Sequence, residues 1–269
     1  MKILVVITTA FTSTGGLTTV MMNYYRAMNK EGLKIDFAST NVPSQSLLDE
    51  IHVEGSEYYQ LPPRKKIVSY FYRLRRLCKN YDLLHVHGNS STSVLELMAA
   101  NWAGVKRRIV HNHTSRSQHP WINLLLHPFF LMSYTKAIAC SDAAGEWLFG
   151  NKQYQILRNA IKVSCFHYDV SVRQQIRQLL GISDSTFLVG HVGKFMDAKN
   201  HPFVIAVFAE IHRLIPNSKL LLVGDGPLRG MVETAVKNLH VEDCVILVGL
   251  RSDIPQLLQS FDVFMLPSF

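Results

Sequence analysis

The sequence predicts an α/β protein made of two doubly wound, Rossmann-like domains, each built on a parallel sheet. Short apolar runs, which are typical of buried strands, alternate with segments of helical periodicity along most of the chain. Such alternation predicts a parallel sheet covered by helices on both faces. The rhythm loosens over residues 158–169 and begins again at Phe187. We therefore expect two domains, residues 1–163 and 164–269, facing each other across a cleft.

Five apolar runs in the first domain predict strands, and segments with helical spacing of apolar residues lie between them. The predicted strands are 3–8, 34–39, 82–87, 107–113 and 137–140, and the predicted helices are 17–28, 67–79, 92–102 and 142–149. The helix at 67–79 continues a basic segment that begins at Arg64.

The second domain repeats the alternation after a polar helix at 171–180. Its predicted strands are 187–192, 219–223, 245–248 and 263–266, and its predicted helices end at 214 or span 228–239 and 254–259. No further helix follows the last strand before Phe269. An uncovered strand would expose apolar surface, so we expect the second domain to be incomplete and the chain to be truncated at its carboxyl end.

Composition allows a packed core and favours an anionic partner. The chain has 269 residues, of which 48% are hydrophobic and 18% are charged. The formal net charge is +8, from 28 Lys and Arg against 20 Asp and Glu, which suits nucleic acid, acidic lipid or a nucleotide. Solvated helix faces explain much of this charge equally well. A nucleic-acid partner is disfavoured, because no recognisable nucleic-acid-binding motif accompanies the charge.

Cysteine spacing and the amino terminus indicate a cytoplasmic protein. The four cysteines show no paired spacing of the zinc or redox type and predict reduced core thiols at Cys78, Cys140, Cys165 and Cys244. The first residues carry no cleavage pattern, and no stretch reaches the roughly 18 apolar residues that a membrane span requires. Membrane contact is therefore expected only at the surface of the protein.

The loop after the strand at 187–192 carries two lysines, Lys194 and Lys199, just before a helix begins. Two ammonium groups beside a helix N-terminus favour an anion, and the simplest one is a phosphate or diphosphate. The alternative is that both lysines are only solvated surface charge.

Three other loops at strand ends contain residues that suit a ligand. Gly15-Gly16 would let backbone N–H groups approach a phosphate, or would serve a tight turn that needs a positive φ. Gly226 would let the backbone approach a ligand, and the backbone around Leu250 and Arg251 would contact a flat heterocycle. Asp253 and Ser252 are interpreted as caps of the following helix.

Two pairs of histidines, His85 with His87 and His111 with His113, end neighbouring strands. A zinc site is disfavoured on the assumption that the members of each pair point to opposite faces, and because no cysteine or carboxylate cluster completes it. His85 and His111 are expected to be buried. His87 and His113 would face the cleft and contact a substrate or donate a proton.

Seven short motifs occur along the chain in a specific order and spacing. They are Gly15-Gly16, His113-Thr-Ser-Arg116, Asn159-Ala-Ile161, Gly193-Lys-Phe-Met-Asp-Ala-Lys-Asn200, Leu221-Leu-Val-Gly-Asp-Gly-Pro227, Val248-Gly249 and Phe264-Met-Leu-Pro-Ser268. This set resembles the family 4 glycosyltransferases of the GT-B fold. Three further segments resemble the bacterial capsule and exopolysaccharide branch of that family, namely His85-Val-His-Gly-Asn89, residues 139–150 and Gly190-His-Val-Gly193.

The resemblance implies a role for each matching residue. His113 would lie beside the transferred sugar as the catalytic residue. The donor-binding residues would be Gly15, Gly16, Lys194, Lys199, Gly226, Leu250 and Arg251, with the two lysines on the diphosphate and the last two residues flanking the base. His87 and Arg116 would lie on the acceptor side of the cleft. Relatives usually carry Arg where this chain has Lys194, which keeps the charge but lacks the bidentate fork.

The resemblance also implies the reaction, in which a hexose passes with retention from a nucleotide-diphosphate sugar to a glycan acceptor, in this branch a lipid-linked one at the cytoplasmic membrane face. No metal or other cofactor is expected, because the lysines and the Gly16 helix end would offset the diphosphate charge. The basic segment 64–79 would contact anionic lipid. Two glutamates that relatives carry beyond the Pro-Ser pair are missing, so a noncatalytic nucleotide-binding fragment is the alternative function.

Overall fold

The computed structural model describes residues 1–13, 15–117 and 119–268. The described chain forms two compact units, Met1–Ile161 and Lys162–Phe269. The division expected from the sequence, between 163 and 164, lies two residues further along. The acceptor and donor roles given to the two domains stay predictions.

The first unit is built on a seven-stranded parallel sheet within the described residues, with the order β3-β2-β1-β4-β5-β6-β7. The strands are β1 Lys2–Ile7, β2 Lys34–Ser39, β3 Tyr58–Gln60, β4 Leu83–Gly88, β5 Arg107–Asn112, β6 Lys136–Ala139 and β7 Gln155–Ile156. The helices are α1 Gly16–Ala27, α2 Gln45–Val53, α3 Ile67–Cys78, α4 Val94–Trp102, α5 Pro120–Ser133 and α6 Asp142–Phe149, and Ser91–Ser93 forms a 3-10 turn before α4.

Two apolar layers cover the two faces of this sheet. α1 and α2 pack on one face through Met21, Met22, Tyr25, Leu47 and Ile51. The other face is covered by α3 to α6, whose buried side chains include Tyr70, Leu97, Phe130 and Phe149. The alternation of strand residues between the two layers follows the period of two that an extended chain imposes.

The second unit contains a four-stranded parallel sheet among the described residues, with the order β10-β9-β8-β11. Its strands are β8 Phe187–Val192, β9 Ser218–Val223, β10 Val245–Gly249 and β11 Val263–Phe264. Its helices are α7 Val170–Leu179, α8 His201–Leu214, α9 Arg229–Asn238 and α10 Ile254–Gln259, with 3-10 turns at Val163–Phe166, Asp197–Lys199 and Glu242–Cys244. The predicted fold class of parallel α/β sheets is confirmed.

One detail of the sequence-based description differs from the structure. Cys165 lies exposed in its 3-10 turn, so the expectation of a core thiol is wrong for that residue and correct for the buried Cys78. In the described part of the chain, no helix combines the length and the apolar character needed to cross a membrane.

Candidate functional site

The carboxyl end of the first sheet holds four histidines, which we call the histidine cluster: His85, His87, His111 and His113. β4 and β5 pair in parallel with His87 opposite His111, and the four rings are close neighbours. The ring centroids of His111 and His113 lie 4.1 Å apart, and those of His85 and His87 lie 4.3 Å apart. The cluster therefore forms one continuous group of imidazoles.

The members of each histidine pair point the same way, because residues i and i+2 of a strand lie on the same face. The expectation that they point to opposite faces is therefore wrong. Ligand nitrogens of His85, His87 and His111 lie within 4.8 Å of one another. The rings of His85 and His111 are nearly parallel, at 3° and with 5.7 Å between centroids, so these two rings stack rather than converge. That no metal is bound stays a prediction.

All four imidazoles are neutral near neutral pH. Burial, together with repulsion from His113, lowers the pKa of His85 to about 4, and burial with the same repulsion lowers the pKa of His111 to about 2. Burial lowers the pKa of His113 to about 4 and that of His87 well below its usual value. Uncharged rings can stack and exchange hydrogen bonds without electrostatic repulsion.

His87 contacts His113 directly. Its Nδ1 lies 2.9 Å from Nε2 of His113, so one ring donates a hydrogen bond to the other. His87 itself is buried, with 4% of its surface exposed, whereas His113 is only half-buried. His87 therefore supports the His113 ring from within the protein, and its expected place on the acceptor side of the cleft stays a prediction. The catalytic role of His113 stays a prediction.

The first glycine loop leads into α1. Gly15 has a φ of −77° and Gly16 begins the helix, so the alternative of a turn with positive φ is wrong. The N–H of Thr19 donates to the Gly15 carbonyl, which leaves the N–H groups of the first turn directed out of the helix end. Among the described residues, none would lie within 4 Å of a Cβ at Gly16, so these residues leave the helix end accessible to an anion.

In the second unit, backbone hydrogen bonds hold the strand-end loops together. The N–H of Gly193 donates to the Val223 carbonyl at 2.9 Å, and the N–H of Phe195 donates to the Asp225 carbonyl at 3.1 Å. A Cβ at Gly226 would lie 2.5 Å from the carbonyl oxygen of Phe195. Glycine at 226 is thus required by the chain's own backbone. The prediction that Gly226 lines a nucleotide pocket is untested by this contact.

The two lysines of this loop differ in their surroundings. Lys194 is exposed, whereas Lys199 is half-buried in the 3-10 turn. The Cγ and Cδ of Lys199 lie 3.3 Å from the Cβ position on Gly193, and its Nζ donates to the Ser268 hydroxyl at 3.4 Å. Burial, with repulsion from His191 and Lys199, lowers the pKa of His201 to about 4. Lys199 therefore places a positive charge beside the buried imidazoles of His191 and His201.

The loop after β10 presents an apolar side chain beside an ion pair. Leu250 is 61% exposed. Arg251 donates from Nε and Nη2 to the Asp253 carboxylate at 2.8 and 2.6 Å. Asp253 occupies the N-cap position of α10, but its side chain makes no capping hydrogen bond. The capping interpretation is wrong, because the carboxylate is engaged by Arg251 instead.

A feature that the sequence analysis missed lies just after Arg116, which is exposed. Ser117, the first two turns of α5 and one aromatic side chain of α6 line a cavity of about 290 Å³, through Pro120, Asn123, Leu124, His127 and Trp147. The signal for this helix was present, because Pro120 stands at its first turn and an apolar run follows.

Comparisons with known proteins bear on the whole chain. Residues 14–162 match the sequence model of Glycosyltransferase Family 4, and residues 172–269 match that of Glycosyl transferases group 1. The chain is 27% identical to EpsF of Bacillus subtilis strain 168, over 94% of this chain and 70% of that protein. It is 26% identical to the UDP-Gal:alpha-D-GlcNAc-diphosphoundecaprenol alpha-1,3-galactosyltransferase of Escherichia coli, over 76% of this chain and 56% of that enzyme.

Solved structures share the fold. The crystal structure of HepE from Anabaena in complex with UDP and glucose superposes with a TM-score of 0.82 at 20% identity, covering 100% of this chain and 74% of that one. WaaG, a glycosyltransferase involved in lipopolysaccharide biosynthesis, superposes with a TM-score of 0.73 at 16% identity, covering 100% of this chain and 75% of that one.

Proposed function

The chain belongs to glycosyltransferase family 4, and from this premise we propose that it transfers a hexose, with retention, from a nucleotide-diphosphate sugar to a lipid-linked glycan acceptor. We further propose that the product is a capsular or exported polysaccharide. Four donor-binding loops are assigned to this function, around Gly16, around Lys194 and Lys199, around Gly226, and at Leu250 and Arg251. His113 is assigned to the transferred sugar.

The observation that carries the proposal is the position of Lys199. Its aliphatic stem crosses Gly193 at the carboxyl end of β8, and its ammonium group reaches the Ser268 hydroxyl. Ligands of open parallel sheets bind at this end of the strands. The ammonium group of the half-buried Lys199, beside backbone groups fixed by the Gly193 and Phe195 hydrogen bonds, suits the charge of a diphosphate.

The relatives support the substrate classes. HepE was crystallised with UDP and glucose, and the Escherichia coli relative is named for UDP-Gal and a diphosphoundecaprenol acceptor. We therefore propose a uridine nucleotide as the first donor to test, and an acceptor carried on a polyprenyl diphosphate. Leu250, which is exposed after β10, would pack against the base, and Arg251 would flank it.

The reaction exchanges one bond at the anomeric carbon for another. The bond to the diphosphate oxygen breaks, the acceptor oxygen forms the glycosidic bond, and the acceptor proton leaves with the nucleoside diphosphate. Lys194 and Lys199 would stabilise the charge that develops on the leaving group. The N-terminus of α1, in the first unit, is a separate candidate for binding an anion through its partial positive charge. We propose that no metal takes part.

We also propose peripheral contact with an anionic membrane through the basic segment 64–79. Arg73 and Arg76 are exposed on α3, and Lys65 and Lys66 are exposed before it. Arg64 does not contribute to this surface, because its guanidinium pairs with the buried Glu96 at 3.0 Å. A protein held at the lipid surface would meet a lipid-linked acceptor where it resides.

The test is to follow nucleoside-diphosphate release from a panel of sugar nucleotides with a polyprenyl-diphosphate-linked glycan. We expect release that requires the acceptor. Lys199→Ala should weaken binding of the nucleoside diphosphate by about 1.5–3 kcal/mol, because it removes a charged hydrogen-bond donor. Calorimetry with UDP measures this loss.

Lys237→Ala is the matched control, since Lys237 is an exposed lysine of α9 that the proposal does not use. Its binding should equal that of the unmodified chain. Binding without transfer would support the alternative of a noncatalytic nucleotide-binding protein. Equal binding by the Lys199 and Lys237 variants would overturn the role of Lys199.

A further inference from the structure

α5 presents an outer surface that is almost wholly apolar. Its sequence, Pro-Trp-Ile-Asn-Leu-Leu-Leu-His-Pro-Phe-Phe-Leu-Met-Ser, contains no Asp, Glu, Lys or Arg. The large side chains that it exposes are Trp121 (82%), Leu124 (67%), Leu125 (72%), Phe129 (61%) and Met132 (84%). Proteins that stay monomeric in water rarely expose a contiguous patch of this kind, so the surface calls for a partner.

The polar side chains of α5 point into the protein rather than away from it. The Asn123 side chain accepts a hydrogen bond from the N–H of Ser91 at 2.7 Å, and Nε2 of His127 lies 3.0 Å from the Leu148 carbonyl. Ser133 donates to the Phe130 carbonyl. The inner side of α5 therefore carries these polar groups together with Leu126, Phe130 and Leu131, and its outer side lacks the polar face that a surface helix usually presents to water.

The apolar surface continues onto the neighbouring helices. α4 packs between α3 and α5, and it exposes Trp102, whose ring lies 5.3 Å from that of Phe71. α3 exposes Val68 at 70% and Tyr72 at 58%. We call the outer face of these three helices the α3–α5 face.

The charge on the α3–α5 face has one sign. The three helices contain a single acidic residue, Glu96, and it is fully buried against Arg64 and the Tyr70 hydroxyl. Arg73 and Arg76 are exposed on α3. A second copy of the chain pairing through the same face would bring these cations toward their own copies, which disfavours a symmetric dimer. An anionic bilayer matches both parts of the face, since its acyl chains can cover the apolar side chains and its headgroups can pair with the arginines.

The length of α5 decides how it would meet a bilayer. Fourteen residues at about 1.5 Å each span about 21 Å, which is shorter than the roughly 30 Å of the hydrocarbon core. The helix is therefore suited to lie in the plane of the interface, where an aromatic side chain such as Trp121 is favoured.

We propose that the α3–α5 face docks on an anionic lipid bilayer, with the apolar side of α5 inserted at the headgroup boundary and the arginines of α3 on the headgroups. This goes beyond the electrostatic contact of the basic segment, because the larger contribution comes from α5. It also rests on the proposed function in one respect: the cavity between α5 and Trp147 would then open beside the membrane that holds a lipid-linked acceptor.

The test measures co-sedimentation of the whole chain with vesicles, without donor or acceptor. The vesicles are phosphatidylcholine alone or phosphatidylcholine mixed with phosphatidylglycerol. The triple variant Leu125→Gln, Phe129→Gln and Met132→Gln should lower the affinity for mixed vesicles at least about tenfold at low and at high salt, since apolar burial is not screened. Arg73→Gln with Arg76→Gln should weaken binding only at low salt and remove the preference for phosphatidylglycerol.

Leu179→Gln with Leu214→Gln is the matched control, because these leucines of the second unit are 72% and 70% exposed. The control should bind like the unmodified chain. Equal binding by the α5 variant would overturn the proposal. The proposal would also be overturned if the unmodified chain did not bind vesicles but formed a dimer, and the α5 variant were monomeric. The α3–α5 face would then be an interface between copies of the chain. Transfer to a water-soluble acceptor is measured separately, so failure of the proposed function remains distinguishable.

Discussion

The strand ends of the two units are ordered by different contacts. In the first unit, the four rings of the histidine cluster pack on one another, with His87 and His111 buried and His85 and His113 half-buried. In the second unit, backbone hydrogen bonds join the loops at Gly193, Phe195 and Gly224, and Lys199 lies half-buried beside them. The same parallel topology therefore supplies packed neutral rings in one place and hydrogen-bonded backbone beside a charged side chain in the other.

The two glycine loops carry this difference further. No described residue would lie within 4 Å of a Cβ at Gly16, whereas a Cβ at Gly226 would lie 2.5 Å from the carbonyl oxygen of Phe195. The first glycine leaves room for something outside the chain, and the second leaves room for the chain itself. A glycine at a strand end is thus not evidence of a ligand until its neighbours are known.

The largest effect is expected from pH, which acts on the neutral rings. Folding lowers the pKa of His85 and His113 to about 4 and that of His111 to about 2, from an unfolded value near 6.5. Below about pH 6.5 the unfolded chain therefore binds more protons, and the free energy of unfolding falls as the pH falls toward 4. Each histidine contributes a slope of up to about 1.4 kcal/mol per pH unit. Urea unfolding at a series of pH values measures this slope.

His111→Leu should reduce that slope by up to about 1.4 kcal/mol per pH unit, because it replaces one titrating ring with an apolar side chain of similar size. Leu179→Ala, at an exposed position without a titrating group, should leave the slope unchanged. If both variants kept the slope of the unmodified chain, the titrating groups would lie outside the histidine cluster. The electrostatic difference between the two strand ends would then be contradicted.

Gly226→Ala tests whether close backbone packing holds the strand-end loops of the second unit together. The added methyl would collide with the Phe195 carbonyl, so the loops must move apart and the free energy of unfolding should fall by about 1–3 kcal/mol. Gly230→Ala is the matched control, because a Cβ there meets nothing within 4 Å and α9 should gain up to about 1 kcal/mol from the better helix former. Similar stabilities in urea would contradict the packing role of Gly226.

Gly16→Ala is expected to have the smallest effect on folding. Its Cβ would enter open space at the first position of α1, so the free energy of unfolding should change by less than about 1 kcal/mol. Calorimetry with UDP should nevertheless show weaker binding, because the methyl would occupy the space beside the helix end. Unchanged affinity would show that the nucleotide does not contact this loop, and the donor-binding residues would then be those of the second unit.

Regular elements with a clear period were predictable from the sequence. Strands 34–39 and 187–192 and helices 142–149 and 254–259 have the bounds that the structure shows. β3 was missed because it is a three-residue strand at the sheet edge, and α2 because only Leu47 and Ile51 of its nine residues are buried. α5 was missed because it is apolar on nearly all sides, so it shows no contrast between faces.

By itself, the sequence determined the two parallel sheets and placed histidines, glycines and lysines at strand ends. The spacing of apolar residues and the positions of Gly and Pro, on which this depends, are local properties of the chain. Tertiary structure alone decided which of those residues meet. The pairing of β4 with β5 sets His87 opposite His111, and the approach of Phe195 fixes the need for Gly226. It also decided that the polar side chains of α5 turn inward, since Ser91 and Leu148 supply their partners from elsewhere in the sequence. Such contacts depend on strand register and loop packing, which join residues too distant along the chain for a local pattern to record.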